Sequence, residues 1–488
     1  MKRNANLLRN IHQMNRRNFL KNGGIVALGS TLYTSVAGQA TNWFVDEEGL
    51  ANQVKNIIFM VSDGMSSGTL NIANMYSERI LGRTTKWIEL YQQNKVTHGL
   101  MDMASASSIV TDSAAASSSW GSGHRVNNGS INFSVHQEKL TPIWEKFKKA
   151  GKKAGCVTTV PITHATPAGF TVSMKSRNDQ SKIAEEYLRQ GYDVLLGGGD
   201  QFFNPSYRKD KKDMYQSFRN ANYKVVRNKS ELMQTSGTQK LLGVFDYDAL
   251  PYQIDRENNV ELQKTMPTLA EMAQKAIDNM SQHPEGFVLQ IESGKVDWAA
   301  HANDIAGLIH EQLQFDEAVR VAINYAEQRN DTLVIIATDH GNANPGVIYG
   351  KYADTHFDSI AQYKQSNESF LNTIQPDWNE KKLIEFTQNQ LGIVLNHEDA
   401  THVLHYYQGL EKEEGGLYNY MKLPYKTFAD IQQKTDSVGW ISMDHSADYV
   451  EIAMFGAGKE KLVPFIKNTD LHWFMLNVTG LKQDEIIR

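Results

Sequence analysis

The chain has 488 residues, 41% of them hydrophobic and 22% charged, with a formal net charge of −5. This is globular composition, long enough for a large core, and it excludes the clustered positive charge of a nucleic-acid groove. A single cysteine, Cys156, excludes an intrachain disulfide; in its apolar run it reads as a small core residue rather than a nucleophile.

In chain order, residues 1–40 read as an address rather than as fold. The run Asn15-Arg16-Arg17-Asn18-Phe19-Leu20-Lys21 pairs two arginines ahead of two apolar residues, a mildly apolar stretch runs from Gly23 to Tyr33, and small residues follow at Ser35, Ala37, Gly38 and Ala40. That order matches a cleavable export signal of the twin-arginine type. The apolar stretch is too short to span a bilayer, and no other run reaches that length. The expected partner is the twin-arginine export machinery, which carries folded proteins, and the expected location is periplasmic or secreted. Residues 41–488 then read as one domain.

Short apolar runs predict strands at Asn56–Val61, Gly155–Val160, Tyr192–Leu196, Phe287–Ile291, Leu333–Ala337 and Val450–Phe455. Continuous apolar strands imply burial on both faces, hence a mainly parallel sheet. Helical spacing predicts helices over Leu269–Met280 and Asp304–Gln328, giving an α/β fold with helices on both faces. The stretch 341–440 lacks the strand rhythm, is rich in Tyr, Lys, Glu and Asn, and reads as an insertion, partly helical around Asn379–Leu391.

Acids and histidines gather where predicted strands end, the edge at which parallel α/β sheets bind ligands. Asp63 follows the first strand, Glu292 the fourth, and Asp339-His340 the fifth. If a helix has begun by Asp297, then Asp297 and His301 are i and i+4 and share a face. Taken alone, the same residues fit a helix cap and a surface histidine equally well. Asp444-His445 offers a further imidazole. Such Asp and His donors suit Zn²⁺, and carboxylate or hydroxyl oxygens suit Mg²⁺. Ser113, ahead of Ala114-Ala115-Ala116, reads as the first turn of a helix, where backbone N–H groups favour an anion. It is either a cap or a nucleophile activated by a nearby metal.

Seven motifs in order then identify a resemblance: IIFMVSDGM, VTDSAAA, THATPAG, LLGGG, LQIESGKVDWAAH, IIATDHG and a late DH before the final strand. The sequence resembles the zinc- and magnesium-dependent alkaline phosphatases over almost the whole mature chain apart from 341–440. The resemblance implies hydrolysis of phosphate monoesters with broad specificity through a phosphoserine, with two Zn²⁺ and one Mg²⁺, on a fold typical of homodimers. It implies Ser113 as the nucleophile. Asp297, His301 and His445 would hold the first Zn²⁺, and Asp339 and His340 the second. Asp63 would bridge towards Mg²⁺, whose site Thr166 and Glu292 complete. Arg177 would grip the phosphate, with Asp112 orienting it. The best-known bacterial members carry Asp where this chain has His164 and Lys where it has Trp298, so these two positions set it with a His/Trp group of bacterial enzymes, His164 meeting the third metal through water. Phosphodiesterases, sulfatases and a silent phosphate- or metal-binding protein are the rival readings. Arg177 and the third metal set favour monoesters, and no nucleophile or ligand is missing.

Overall fold

The computed structural model describes residues 54–413 and 416–481; the predicted export signal lies outside the described residues. Ten strands form one sheet: β1 (Asn56–Ser62), β2 (Thr97–Asp102), β3 (Lys153–Pro161), β4 (Val194–Gly198), β5 (Lys224–Val226), β6 (Leu241–Val244), β7 (Phe287–Ser293), β8 (Thr332–Ala337), β9 (Tyr449–Gly456) and β10 (Phe465–Lys467). Their order is β10-β2-β9-β8-β1-β7-β3-β4-β6-β5. Every neighbour pair is parallel except those of β9, which runs antiparallel to both β2 and β8. All residues of β1, β7 and β8 are buried. Only a strand covered by helices on both faces tolerates that, which is why these segments are continuous apolar runs rather than alternating ones.

The six strands expected from apolar runs are present. The third of these, β4, begins at Val194 rather than Tyr192, where its ladder with β3 and β6 starts; the Tyr192 hydroxyl donates to the Thr171 carbonyl. The helix Leu269–Met280 carries a capping box between Thr268 and Glu271. The long helix Ile305–Glu327 is capped by Asp304, whose Oδ1 accepts from Gly307 N at 2.9 Å. The other oxygen of Asp304 accepts from Asn367 N at 2.7 Å and so ties the 341–440 region to the core.

Within 341–440 helices dominate, among them Glu380–Leu391, capped by Asn379. Two short antiparallel pairings close its base: Gly346–Val347 with Val438–Gly439, and Gly341–Asn342 with His445–Ser446. The second pairing returns His445 to the neighbourhood of Asp339 and His340.

Two helices near the carboxyl edge cross at glycines. A Cβ on Gly121, in the helix Ser113–Ser122, would lie 1.9 Å from the carbonyl oxygen of Gly169, in the helix Ala165–Thr171. Ser117 Oγ bonds across to Ala165 O at 3.1 Å. The crossing sets Ser113 and Thr166 at a fixed separation. Gly121→Ala should therefore push the helices apart and cost about 3 kcal/mol through overpacking. Thermal melting beside turnover checks this: a variant that melts like the parent would show that the crossing does not depend on the missing side chain.

Candidate active site

The central strands β8, β1 and β7 end in register, with Val61 opposite both Glu292 and Ala337. Their carboxyl ends therefore present Asp339, Asp63 and Glu292 along one rim. Asp297 comes from the helix Lys295–His301 that follows β7. The loop after β1 closes against it, since a Cβ on Gly64 (φ +67°) would stand 2.4 Å from Asp297 Oδ1. Gly64 N donates to Asp339 Oδ1 at 3.0 Å. Asp63, Glu292 and Asp339 are fully buried and Asp297 nearly so.

Three groups of donors converge: Asp297 with His301 and His445, Asp63 with Asp339 and His340, and Asp63 with Glu292 and His164. In each group one ligand atom per residue lies within 4.8 Å of the others. Asp63, on the central strand, belongs to two of them. The i, i+4 expectation is realised, with His301 Nε2 3.4 Å from Asp297 Oδ2. His445 Nε2 lies 3.5 Å from Asp297 Oδ1. The far nitrogens of both rings face backbone carbonyls, His301 Nδ1 with Met443 O at 2.6 Å and His445 Nδ1 with Thr111 O at 3.0 Å. An Nδ1–H donating there leaves Nε2 as the free donor toward a metal.

Asp112, not Ser113, caps the helix: its Oδ1 accepts from Ala115 N at 2.9 Å. The Ser113 hydroxyl is thus free of capping and lies 3.2 Å from His340 Nε2. The second oxygen of Asp112 accepts from Gly129 N at 2.9 Å and from Arg177 Nη1 at 3.1 Å. Arg177 Nη2 donates to His164 Nε2 at 3.1 Å, and its backbone N to Gly129 O at 2.8 Å. The guanidinium is therefore bracketed between Asp112, the residue before Ser113, and His164. Thr166 Oγ1 donates to Asp63 Oδ2 at 3.2 Å. Trp298 stands apart from these contacts, its ring edge-on to His164 at 6.3 Å between centroids.

The electrostatics show what the site lacks as a bare protein. Burial, and then the charges of Asp339, Asp297 and Glu292, push Asp63 well above the usual carboxylate range. Burial pushes Glu292 up to about 7 and Asp339 up to about 6. Burial opposes ionisation of Asp297 too, but the imidazoles of His301, His445 and His340 outweigh it and hold this acid well below the usual range. Against its own burial, His301 is raised to about 9 by Asp297. Burial and His445 lower His340 to about 3; burial and Arg177 lower His164 to about 3. Asp63 Oδ1, Glu292 Oε1, Asp339 Oδ2 and His164 Nδ1 are buried without a hydrogen-bond partner. Buried polar atoms are almost always paired, so a cluster of unpaired oxygens and nitrogens aimed at one another fits bound divalent cations.

Two contributors escaped the sequence reading. Thr158 Oγ1 donates to Glu292 Oε2 at 2.5 Å, and Asn342 Nδ2 to Asp297 Oδ1 at 2.7 Å. A hydroxyl pair, Thr158-Thr159, inside an otherwise apolar strand was a usable signal for the first. Asn342 carried none, because its position depends on the short pairing with His445.

A mostly parallel α/β sheet whose carboxyl edge collects metal donors around a free helix-start serine and a bracketed arginine defines a metal-dependent hydrolase built for an anionic, phosphate-like group. The alkaline phosphatase family profile matches residues 54–481, and the chain belongs to that family, metal-dependent hydrolases of phosphate monoesters. It is 30% identical over 426 residues to Bacillus subtilis (strain 168) alkaline phosphatase 4, covering 86% of this chain and 87% of that protein. The crystal structure of Thermus thermophilus alkaline phosphatase superposes with a TM-score of 0.81 at 32% identity, covering 89% of this chain and 93% of that one. A cold-active alkaline phosphatase from a psychrophilic Shewanella sp. superposes with a TM-score of 0.73 at 26% identity, covering 88% and 100%.

The raised acids have a measurable consequence in chelated protein. A carboxyl whose folded pKa lies above its ordinary value stabilises the fold while protonated and loses that contribution as pH rises through the folded value. For Glu292 and Asp339 the loss begins at the ordinary values of 4.5 and 3.8 and is complete once pH has passed the folded values of about 7 and about 6. The melting temperature of metal-free protein should therefore fall between about pH 4 and about pH 7, and divalent cations should remove that fall. Calorimetry with and without chelator checks it; parallel profiles would mean that cations do not neutralise these acids.

Proposed function

We propose that the enzyme hydrolyses phosphate monoesters through a phosphoserine on Ser113, using two Zn²⁺ and one Mg²⁺. The observation that carries this reading is the Ser113 hydroxyl, released from capping by Asp112 and set 3.2 Å from His340 within the donor cluster. Asp297, His301 and His445 would hold one zinc. Asp339 and His340 would hold the other with Asp63, which bridges towards magnesium. Asp63, Glu292 and Thr166 would hold the magnesium, with His164 joined through water. The nitrogen-rich sets suit zinc and the oxygen set suits magnesium. When bound, such ions supply Lewis-acid activation and cancel the charge of the clustered carboxylates.

The chain's own residues do the rest. The first backbone N–H groups of the Ser113 helix face the incoming phosphate and favour its negative charge. Arg177 contributes a planar fork for two of its oxygens, held in place by Asp112 and His164. Ser113 Oγ attacks phosphorus, the bond to the alcohol oxygen breaks, and the alcohol leaves with a proton. Water then cleaves the phosphoserine, giving inorganic phosphate and free Ser113. Arg177 favours a dianionic group over a diester, which has one charged oxygen fewer for the fork. Trp298 offers only one N–H and no charge, so the product is held less tightly than by a lysine there.

The same reading extends to the whole chain. Residues 1–40 would direct export by the twin-arginine route to the periplasm or beyond, 41–488 would form the catalytic domain of a homodimer, and 341–440 would be an insertion in it. Among the described residues no helix is long and apolar enough to cross a membrane.

Two series test the mechanism. Ser113→Ala should keep its metals and fold, lose covalent labelling by phosphate, and lose about 10³-fold in kcat, with a residue of hydrolysis supported by the remaining electrostatics. Phosphate trapped on Thr111 instead would refute the assignment. Arg177→Ala should weaken inhibition by phosphate about tenfold or more and hurt monoesters more than diesters, and Arg177→Lys should recover only part of the loss. Equal losses on both ester types would remove Arg177 from the role of clamp.

A further inference from the structure

Trp298 has a second neighbourhood. Besides meeting His164, it lines a cleft of about 940 Å³. One wall is the loop after β6, with Asp246 and Asp248; another comes from the 341–440 region, with Glu368, Tyr420 and Tyr425. The charged side chains lining it are Asp246, Asp248, Glu368 and Lys295. Three carboxylates thus face one ammonium.

That ammonium does not pair with them. Lys295 Nζ sits 3.5 Å from the ring centroid of Tyr252 and 5.7 Å from that of Trp298, with no carboxylate within 4.0 Å among the described residues. The Asp246 carboxylate accepts only from Tyr247 N, and that of Asp248 only from Gln201 Nε2 at 2.8 Å. Among the described residues the Glu368 carboxylate has neither a hydrogen bond nor an ion pair. Burial pushes Asp246 and Asp248 up from the ordinary carboxylate value, and the charge of Lys295 offsets this only in part, leaving a cost to their charged forms that a further cation would relieve. The Tyr420 and Tyr425 rings lie 4.5 Å apart at 32°, and neither carries a cation over its face. Tyr425 is 2% exposed and its buried hydroxyl has no hydrogen-bond partner, a polar group in the wall that the protein itself leaves unpaired.

The cleft adjoins the reacting end. Trp298 follows Asp297 on one helix, and its ring meets His164, which accepts from Arg177. Trp298 thus joins the cleft wall to the His164–Arg177 pair, and an ester whose phosphate is held by Arg177 would offer its alcohol to that side.

We propose that this cleft receives the alcohol of the phosphate ester and prefers one that carries an ammonium group, as in esters of amino alcohols and quaternary ammonium alcohols. Aromatic faces attract such a cation, and the unpaired carboxylates supply its counter-charge. A neutral alcohol of the same shape leaves those carboxylates as they are. The proposal rests on reading the adjoining site as a phosphomonoesterase and adds a preference within its broad range.

The test compares phosphocholine with 3,3-dimethylbutyl phosphate, which has the same shape but carbon in place of the charged nitrogen. The expected result is a kcat/KM about tenfold higher for phosphocholine, the scale of one cation held against aromatic faces and carboxylates. Glu368→Gln combined with Asp248→Asn should bring the ratio towards one, and Glu368→Asp, which keeps the charge, should retain most of it. Equal values for the two esters in the parent enzyme, or a preference for the neutral one, would overturn the proposal. Titration calorimetry with choline and with 3,3-dimethylbutanol on the metal-loaded enzyme reads the cleft without turnover. If neither ester were hydrolysed, the phosphatase reading would fail, while the calorimetry would still decide the cleft: choline bound more tightly than the neutral alcohol upholds it, and indifference between the two refutes it.

Discussion

Four carboxylates buried at one sheet edge form the constraint on which the rest of the structure depends. Asp63, Glu292, Asp297 and Asp339 lie where water cannot solvate them, and isolated buried charges of this kind are prohibitively costly unless neutralised. In the bare chain protons and imidazolium groups carry that burden: burial raises Asp63, Glu292 and Asp339, and His301 is raised to about 9 by Asp297. Divalent cations do the same work at alkaline pH, where protons no longer can. The fold serves to hold the acids in place against their repulsion. Register aligns β8, β1 and β7, Gly64 lets a loop lie against Asp297, and Thr158 and Asn342 tether single carboxylate oxygens.

The proposed nucleophile and the proposed anion clamp are coupled through one side chain. Asp112 caps the helix that begins at Ser113 and, with its other oxygen, holds Arg177. Gly129 closes the arrangement, donating to Asp112 and accepting from the Arg177 backbone. Moving Asp112 would therefore shift both the serine and the fork. The Gly121–Gly169 crossing adds a second restraint, since it fixes the Ser113 helix against the one bearing Thr166.

How much of this was legible in the sequence follows from burial and distance. Strands covered on both faces announce themselves as apolar runs, so β1, β3, β7 and β8 were readable. The strand β2 was not: its burial alternates, and its partner β9 lies some 350 residues away in the chain and runs antiparallel. The strands β5 and β10 have three residues each, too few for any periodicity. At the site, acids at strand ends and the Asp297–His301 spacing were visible as local pattern. His445 was visible only as a further late imidazole; its place beside Asp297 depends on a two-residue pairing with Gly341–Asn342 across a hundred residues, and only the resemblance put it in that group. The cleft beside Trp298 was invisible for the same reason, being assembled from β6's loop and from distant helices.

The 341–440 region is thereby joined to the site at two points. Its base pairing carries His445 to Asp297. Asp304 caps the long core helix with one oxygen and takes the Asn367 backbone with the other, so the same carboxylate ends a core element and seats the region that supplies Glu368. Burial pushes Asp304 up to about 7, which means that its charge is sustained by those two N–H donors, and losing either contact would disfavour the other. The wall of the cleft and the imidazole of the metal site thus belong to one packed unit. A change in the packing of this region would be felt as a change in where His445 points, and cutting the region away would remove a wall of the cleft together with the strand pairing that seats His445.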